Sequence, residues 1–268
     1  AYRIGITGPP GSGKSSLTDN LISSFRKENK RVAVIAIDPS SPFSEGAILG
    51  DRIRMLNHHS DPNVFIRSMA TRGSHGGLAA YAEDVALIFD AAKFDIIIYE
   101  TVGVGQIELD VVQAADSIIV VLVPESGDEV QMLKAGLIEI GDVFAINKSD
   151  RMGANKLMIT LKNILSVFSE NKNIWNPEVI QTVATEGKGI NKLLQSIYSH
   201  ESFLKSGDIY NKKYQDRYKR RVNDFIKSDF MHTFWNKEKM SMLQLELQKE
   251  HVDRLSPFAL FERLVNNE

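Results

Sequence analysis

Gly8-Pro9-Pro10-Gly11-Ser12-Gly13-Lys14-Ser15 decides how the rest of this chain is read. A glycine, four variable residues and then Gly-Lys-Ser is the pattern of a phosphate-cradling loop. The apolar run Tyr2–Thr7 leads into it, and the helix-like segment Ser15–Lys27 leaves it. A glycine-rich turn that binds nothing is the bland alternative, and the complete motif between a strand and a helix argues against it. Gly8, Gly11 and Gly13 let the chain wrap closely round phosphate with its N–H groups turned inward, and the following helix adds its N-terminal dipole. In this reading Lys14 reaches the β- and γ-phosphates and the Ser15 hydroxyl ligates magnesium, while Pro10, Ser12 and Ser16 complete the nucleotide contacts.

A second motif, Asn147-Lys148-Ser149-Asp150, follows the apolar run Val143–Ile146. Asn-x-x-Asp alone is ordinary turn chemistry. At the end of a strand, downstream of a phosphate loop, it specifies a base. The Asp150 carboxylate can accept from the N1–H and exocyclic amine of guanine, two donors that adenine does not offer in that geometry. Asn147 can bridge the base and nearby loops, and the Lys148 stem can cover the ring while its charge stays in solvent. Thr182-Val183-Ala184, after the last strand, would supply a backbone contact to the base oxygen, with Val183 and Ala184 as its residues. The expected ligand pair is GTP and GDP.

Outward from these motifs the chain alternates. Tyr2–Gly8, Arg31–Asp38, Val64–Met69, Phe94–Glu100, Ser117–Val123, Asp142–Asn147 and Glu178–Ala184 read as strands. Several are near-continuous Val and Ile, as parallel strands covered on both faces require. Helical patterns at Ser15–Lys27, Leu78–Ala92, Ile107–Ala115, Glu129–Ile140, Asn155–Phe168 and Ile190–His200 separate them. The expected fold is therefore α/β: a P-loop NTPase with a mostly parallel central sheet and helices on both faces. Ligands then collect at the carboxyl ends of the strands. The GTPase domain is expected over residues 1–200 and a helical C-terminal extension over 201–268. In that extension Tyr210, Tyr214, Tyr218, Val222, Phe225, Ile226 and Phe230 form one apolar stripe on a long helix, Ser206–Trp235. Met240 and Pro257 mark two further helical stretches. The stripe is read as a dimerisation arm, with packing inside one subunit as the alternative.

Composition narrows the classes. The 268 residues carry 32 Lys and Arg against 34 Asp and Glu, a formal charge of -2, which does not suit a polyanion-binding protein; no nucleic-acid partner is expected. Cysteine is absent, which removes disulfides, cysteine nucleophiles and thiolate metal sites. No apolar run approaches the roughly 18 residues of a bilayer span, so no membrane association is expected. The chain opens directly on the strand before the phosphate loop, read as a truncated or processed chain or one with an N-terminal element left out. A cytosolic or organelle-matrix location follows.

Magnesium takes hard oxygen ligands and keeps several waters. Asp38, ending the second strand, is a candidate metal ligand or a plain turn cap. Asp51, after the loop that contains Gly46, is a candidate with surface pairing to arginine as its alternative. Glu100-Thr-Val-Gly103 places an acid near the metal and a glycine amide where it can sense the γ-phosphate. Gln106 is read either as orienter of the attacking water or as a helix-capping glutamine. The catalytic set is thus Lys14, Asp38, Glu100 and Gln106. Arg67, Arg72 and His75 lie on the same edge, as partner-coupling groups or as solvated loop residues. His58–His59 reads as a pair of surface histidines, and Asp128–Glu129 as a helix-start pair or a third switch.

Several longer stretches carry a resemblance. Asp38-Pro-Ser-Ser-Pro-Phe43, Gly46-Ala-Ile-Leu-Gly-Asp-Arg-Ile-Arg54, Met69-Ala-Thr-Arg-Gly73, Glu100-Thr-Val-Gly-Val-Gly-Gln106, Gly127-Asp-Glu129 and Lys134-Ala-Gly136 accompany the two nucleotide motifs. With them the chain resembles the MeaB/ArgK-type G proteins, the family of the methylmalonic aciduria type A protein, over nearly its full length. The resemblance implies a GTPase chaperone that loads and protects an adenosylcobalamin-dependent acyl-CoA mutase, usually methylmalonyl-CoA mutase. It implies magnesium held by Ser15, Asp38, Asp51 and Glu100, a mutase-responsive switch around Asp128, and a homodimer formed through the C-terminal extension. Adenosylcobalamin is then expected on the partner alone, with an adenosyltransferase as a further partner through the mutase complex. It also implies the cytoplasm for a bacterial chain and the mitochondrial matrix for a eukaryotic one. Glu45, His75 and Ile107 depart from the residues usual in the family, and none of them is a nucleotide ligand. Isobutyryl-CoA mutase is an alternative partner. A nickel-insertion GTPase is an alternative function, disfavoured by the missing cysteines and the lack of a histidine-rich tract.

Overall fold

Strands of Val and Ile with no polar face must be covered from both sides, and the computed structural model of this chain does so. It describes residues 1–38, 55–58, 60–70, 77–101, 107–124, 136–168 and 175–266. The strands are β1 (Tyr2–Thr7), β2 (Val32–Asp38), β3 (Val64–Ala70), β4 (Ile96–Thr101), β5 (Ser117–Leu122), β6 (Val143–Ile146) and β7 (Glu178–Gln181). They make one sheet in the order β3-β2-β4-β1-β5-β6-β7, parallel at every pairing. Helices α1 (Lys14–Lys27), α2 (Gly77–Ala91), α3 (Ile107–Ala114), α4 (Leu137–Ile140), α5 (Ala154–Phe168) and α6 (Ile190–Ser206) accompany it.

Strand periodicity divides the core into two. Ile4, Ile6, Val34, Ile98 and Val121 face α1 and α6, where Leu17, Phe25 and Leu193 meet them. Their chain neighbours Ile35, Ile97, Tyr99 and Val120, with Phe144 of β6, face α2, α3 and α5, through Ala86, Val111 and Leu161. Each fully buried branched side chain contributes about 2 kcal/mol, so neither face of the central strands tolerates a polar residue without loss. The parallel arrangement brings the carboxyl ends of β1, β4 and β6 to one edge, and the phosphate loop, Glu100 and Asn147 with them.

Two helix boundaries differ from expectation. The segment read as Ile190–His200 continues to Ser206, because Leu204 extends the buried stripe and only Gly207 ends it. The next helix, α7 (Ile209–Phe234), starts after Asp208, whose φ of 56° breaks the helical path. Of the segment expected as Glu129–Ile140, α4 is the described part, and residues 125–135 lie outside the described residues. α8 (Lys237–Gln248) and α9 (Pro257–Asn266) complete the chain.

The chain divides into two compact units, Ala1–Tyr214 and Gln215–Glu268; residue 200 falls inside α6. In the first, Tyr210 stacks on Tyr2 with ring centroids 6.3 Å apart, and Lys213 Nζ donates to Asp116 O at 2.7 Å. The base of α7 therefore belongs to the core of the first unit. In the second, the Glu246 carboxylate accepts from Leu255 N–H at 2.6 Å and pairs with Lys249, joining α8 to the turn before α9. Tyr218, Phe225, Ile226 and Phe230 are exposed. Among the described residues no helix is long and apolar enough to cross a membrane.

At the sheet edge opposite the phosphate loop lies a sealed polar chain. Tyr2 Oη and Ser117 Oγ are 2.5 Å apart, Ser117 Oγ and His200 Nδ1 are 2.5 Å apart, and His200 Nε2 stands 3.4 Å from Asp142 Oδ1. The order resembles a Ser-His-Asp triad, but Ser117 and His200 are inaccessible and Tyr2 covers the serine, so no substrate can reach it. Burial pushes His200 down to about 3, with Lys213 adding to it. Burial pushes Asp142 up to about 6 against the opposing pull of Lys213.

These shifts oppose each other. The His200 contribution to stability is present above pH 6.5 and is lost as pH falls towards about 3. The Asp142 contribution is present below pH 3.8 and is lost as pH rises through about 6. Between about pH 6 and 4 folding releases a proton at one group and takes one up at the other, and the pair adds no net slope. Asp142→Asn removes only the second half. Relative to the parent, its stability is expected to fall by about 1 kcal/mol for each pH unit as the pH drops from about 6 to 4. Urea unfolding at pH 7, 6, 5 and 4 checks this; parallel stability curves for the two proteins would refute the compensation.

Candidate functional site

The phosphate loop joins β1 to α1 through three glycines of positive φ, and at Gly8 and Gly13 a side chain has no room. A Cβ on Gly8 would stand 2.1 Å from Val121 O, and one on Gly13 would stand 2.3 Å from Asn147 Nδ2. Ser12 is buried and Gly11 and Pro10 are exposed, so the loop presents its turn to solvent while its end is packed. Lys14 is buried, its Nζ donating to Gly8 O at 2.8 Å and Pro9 O at 2.9 Å. The ammonium thus lies over the loop that precedes it. Ser16, next along α1, is exposed.

Ser15 Oγ donates to Glu100 Oε1 at 2.5 Å, and both side chains are buried. Asp38 is the last residue of β2, the strand beside β4, where Ala36 pairs with Glu100. A hydroxyl and a carboxylate side by side at the mouth of a phosphate loop are the hard oxygen donors that a magnesium ion takes. Ser15 and Glu100 therefore fit that ion, which when bound supplies neutralisation of phosphate charge. Among the described residues no group of three or more His, Cys, Asp or Glu could hold a metal by itself. Asp51, Gly103, Gln106, Arg72, His75 and the Asp128–Glu129 pair lie outside the described residues.

Asn147 is the junction of the site. Its Nδ2 donates to Ser12 O at 2.8 Å, and its Oδ1 accepts from Ala184 N–H at 3.0 Å and Thr182 Oγ1 at 3.2 Å. One buried amide thereby ties the phosphate loop to the turn after β7. Lys148 sits at φ 54°, and Ser149 N–H donates to Thr182 O at 3.1 Å, which holds the Asn-Lys-Ser-Asp turn against the same segment. Asp150 is exposed at the rim, where its charge helps hold the Lys188 ammonium above its usual range, behind the larger effect of Glu186. Val183 N–H donates to Lys188 O at 3.1 Å, so both backbone donors expected to meet the base, Val183 and Ala184, have protein partners here.

Sequence reading did not find the Thr182 hydroxyl as part of this junction; its only signal was a threonine directly after an apolar strand. It also misplaced His58. That residue is buried, with Nε2 3.0 Å from Asp19 Oδ1, because Met55 enters the core and draws the turn Leu56–His58 onto α1. Arg67 is exposed on β3.

Comparison with known proteins gives a consistent picture. The sequence model described as methylmalonyl Co-A mutase-associated GTPase MeaB matches residues 1–239. A putative GTPase of Pyrococcus abyssi is 51% identical over 231 residues, covering 85% of this chain and 70% of its own. The mitochondrial methylmalonic aciduria type A homolog of Mus musculus is 33% identical over 238 residues, covering 87% of this chain and 57% of its own. Among solved structures, a LAO/AO transport system kinase superimposes with a TM-score of 0.69 at 25% identity, over 100% of this chain and 81% of its own. The hydrogenase maturation factor HypB of Archaeoglobus fulgidus, at 19% identity and TM-score 0.55 over 74% of this chain and 89% of its own, shares the fold.

Proposed function

This chain belongs to the MeaB family of methylmalonyl-CoA mutase-associated GTPases and is a GTP-hydrolysing enzyme, and from that premise we propose that its hydrolysis cycle serves an adenosylcobalamin-dependent acyl-CoA mutase. The observation that carries the proposal is the match to that family across residues 1–239. In this reading the protein chaperones the mutase, gating cofactor loading and protecting the enzyme during turnover, and cobalamin stays on the partner.

Within the chain, Lys14 and the loop amides bind the phosphates. Ser15 and Glu100, with Asp38 and Asp51, hold magnesium, and Asp150 reads the base. Gly103 senses the γ-phosphate, Gln106 orients the attacking water, and the segment around Asp128 responds to the mutase. The decisive experiment measures GTP hydrolysis with methylmalonyl-CoA mutase and with isobutyryl-CoA mutase, each apo and cobalamin-loaded. Acceleration of about tenfold or more by one of them, dependent on its cofactor state, is the expected result. A basal GTPase that no mutase alters would leave the enzyme and remove the chaperone role.

We also propose that the protein is a homodimer through its C-terminal extension. Supporting this, the side chains of Tyr218, Val222, the Phe225–Ile226 pair and Phe230 recur at three- to four-residue spacing along α7 and are all exposed. Ending the chain after Tyr214 spares Tyr210 and Lys213, which the first unit needs. Sedimentation is expected to give a dimer for the whole chain and a folded monomer for the truncated one. A truncated protein that remains dimeric would place the interface elsewhere.

A further inference from the structure

Beyond the residues already placed around the nucleotide, Asn20 joins α1 to the turn on which base recognition depends. Asn20 lies in the second turn of α1, six residues after Lys14. Its Nδ2 donates to Ser16 O at 2.8 Å, one turn back along the helix, and to Ala184 O at 2.8 Å, 164 residues away. Both amide hydrogens are therefore used, and one of them leaves the helix for the turn Ala184–Glu186. On the other side of the same residue, Ala184 N–H donates to Asn147 Oδ1 at 3.0 Å.

The two peptide groups flanking Ala184 are thus each held by an asparagine side chain. One asparagine belongs to the Asn-Lys-Ser-Asp motif and the other to the helix that starts at the phosphate loop. The link closes a ring: Ser12 O to Asn147, Asn147 to Ala184, Ala184 to Asn20, and Asn20 back along α1 to Lys14. The turn closes on itself through Val183 N–H to Lys188 O at 3.1 Å and Lys188 N–H to Val183 O at 3.2 Å, with Gly187 and Gly189 at positive φ, 67° and 78°, on either side of the exposed Lys188. Those bonds fix the shape of the turn, and the two asparagines fix its orientation against α1 and the phosphate loop.

We propose that Asn20 is a positioning residue for guanine recognition. It holds the Ala184 turn through Ala184 O so that the Ala184 N–H, accepted by Asn147 Oδ1 in the free protein, is shared with the 6-oxo group when the base binds, and it fixes the distance between the base and phosphate subsites. The inference rests on the assignment of the base site to Asp150 and the Thr182–Ala184 segment. It assigns to a helix residue, outside both nucleotide motifs, a share of the selectivity for one edge of the base. A residue that merely braced α1 against its neighbour would alter stability without regard to which group the base carries. Asn20 acting through Ala184 alters the reading of the 6-oxo group alone, because the 2-amino group is read by Asp150.

The test uses the whole chain and three diphosphates: GDP, inosine diphosphate, which lacks the 2-amino group, and 2-aminopurine riboside diphosphate, which lacks the 6-oxo group and with it the N1–H, a second loss that falls on Asp150 alike in parent and variants. Asn20→Ala removes the donor at a helix position that favours alanine, and Asn20→Asp removes it at nearly constant shape. Binding is measured by calorimetry after thermal unfolding has shown each variant folded. The parent is expected to penalise both analogues. In either variant GDP affinity is expected to drop about tenfold, the penalty for the missing 6-oxo group to shrink by the same factor, and the penalty for the missing 2-amino group to stay. Folded variants that keep the full 6-oxo penalty, or that lose both penalties alike, would overturn the role of Asn20. A parent that penalises neither analogue would instead overturn the base-site assignment, and the proposal with it.

Discussion

Gly13→Ala is expected to lower affinity for guanine nucleotides by about a thousandfold while leaving the sheet intact. The reason lies in two observations that act together. Gly13 holds φ at 89°, a conformation that costs an L-residue about 1–2 kcal/mol. Its added Cβ would stand 2.3 Å from Asn147 Nδ2, the atom that donates to Ser12 O at 2.8 Å. Asn147 would have to move, and its bonds to Ser12, Thr182 and Ala184 would be lost or stretched together. A buried group left unsatisfied costs about 1–3 kcal/mol; where the loop and Asn147 relax away in the free protein, binding must restore both, at about 4 kcal/mol or three decades in affinity. Gly11 provides the contrast, since no atom lies within 4 Å of its Cβ position despite a φ of 76°. Calorimetric titration with GDP, alongside the unfolding midpoint, checks the expectation. A Gly13→Ala protein binding GDP within tenfold of the parent would show that Asn147 does not join the phosphate loop to the base site.

Asp150→Asn is expected to exchange guanine for xanthine. The carboxylate is exposed at the rim of the site, where it can meet a base edge without leaving water until the ligand arrives. Two hydrogen bonds to a charged acceptor are worth about 1.5–3 kcal/mol each. Losing the acceptor for the 2-amino group therefore costs about ten- to a hundredfold, by the same conversion of about 1.4 kcal/mol per decade. Asparagine presents one acceptor and one donor, and xanthine offers N1–H and a 2-oxo group that match them. The variant should bind xanthosine diphosphate at least about a hundredfold better than the parent does, in line with the penalty a site pays for mismatched polar groups. Competition between the two diphosphates for one protein measures the ratio directly. An unaltered preference for GDP would move base recognition away from Asp150.

Much of the architecture is legible in the sequence alone. All seven strands are readable: β2, β4, β5 and β6 because they are rich in Val, Ile and Ala that only a sheet covered on both faces can bury, and β1 because it leads into the phosphate loop. The edges were harder. β7 is half exposed and shorter than the run that suggested it, since an edge strand has a neighbour on one side only. The division at Gly207–Asp208 is read too early in the sequence, between His200 and Ser206, because the buried stripe runs on to Leu204 before the backbone turns.

The nucleotide motifs, the parallel sheet and the family follow from the sequence by itself, because each depends on residues close together in the chain. Spacing within a strand, a loop or a helix turn is enough to specify them. Tertiary structure alone decided that Asn147 grips Ser12 O from 135 residues away, that Asn20 reaches Ala184, and that Tyr210 belongs to the base of the sheet. Those contacts need two distant segments brought to within about 3 Å in a single orientation, which strand register and helix packing fix and no local pattern encodes.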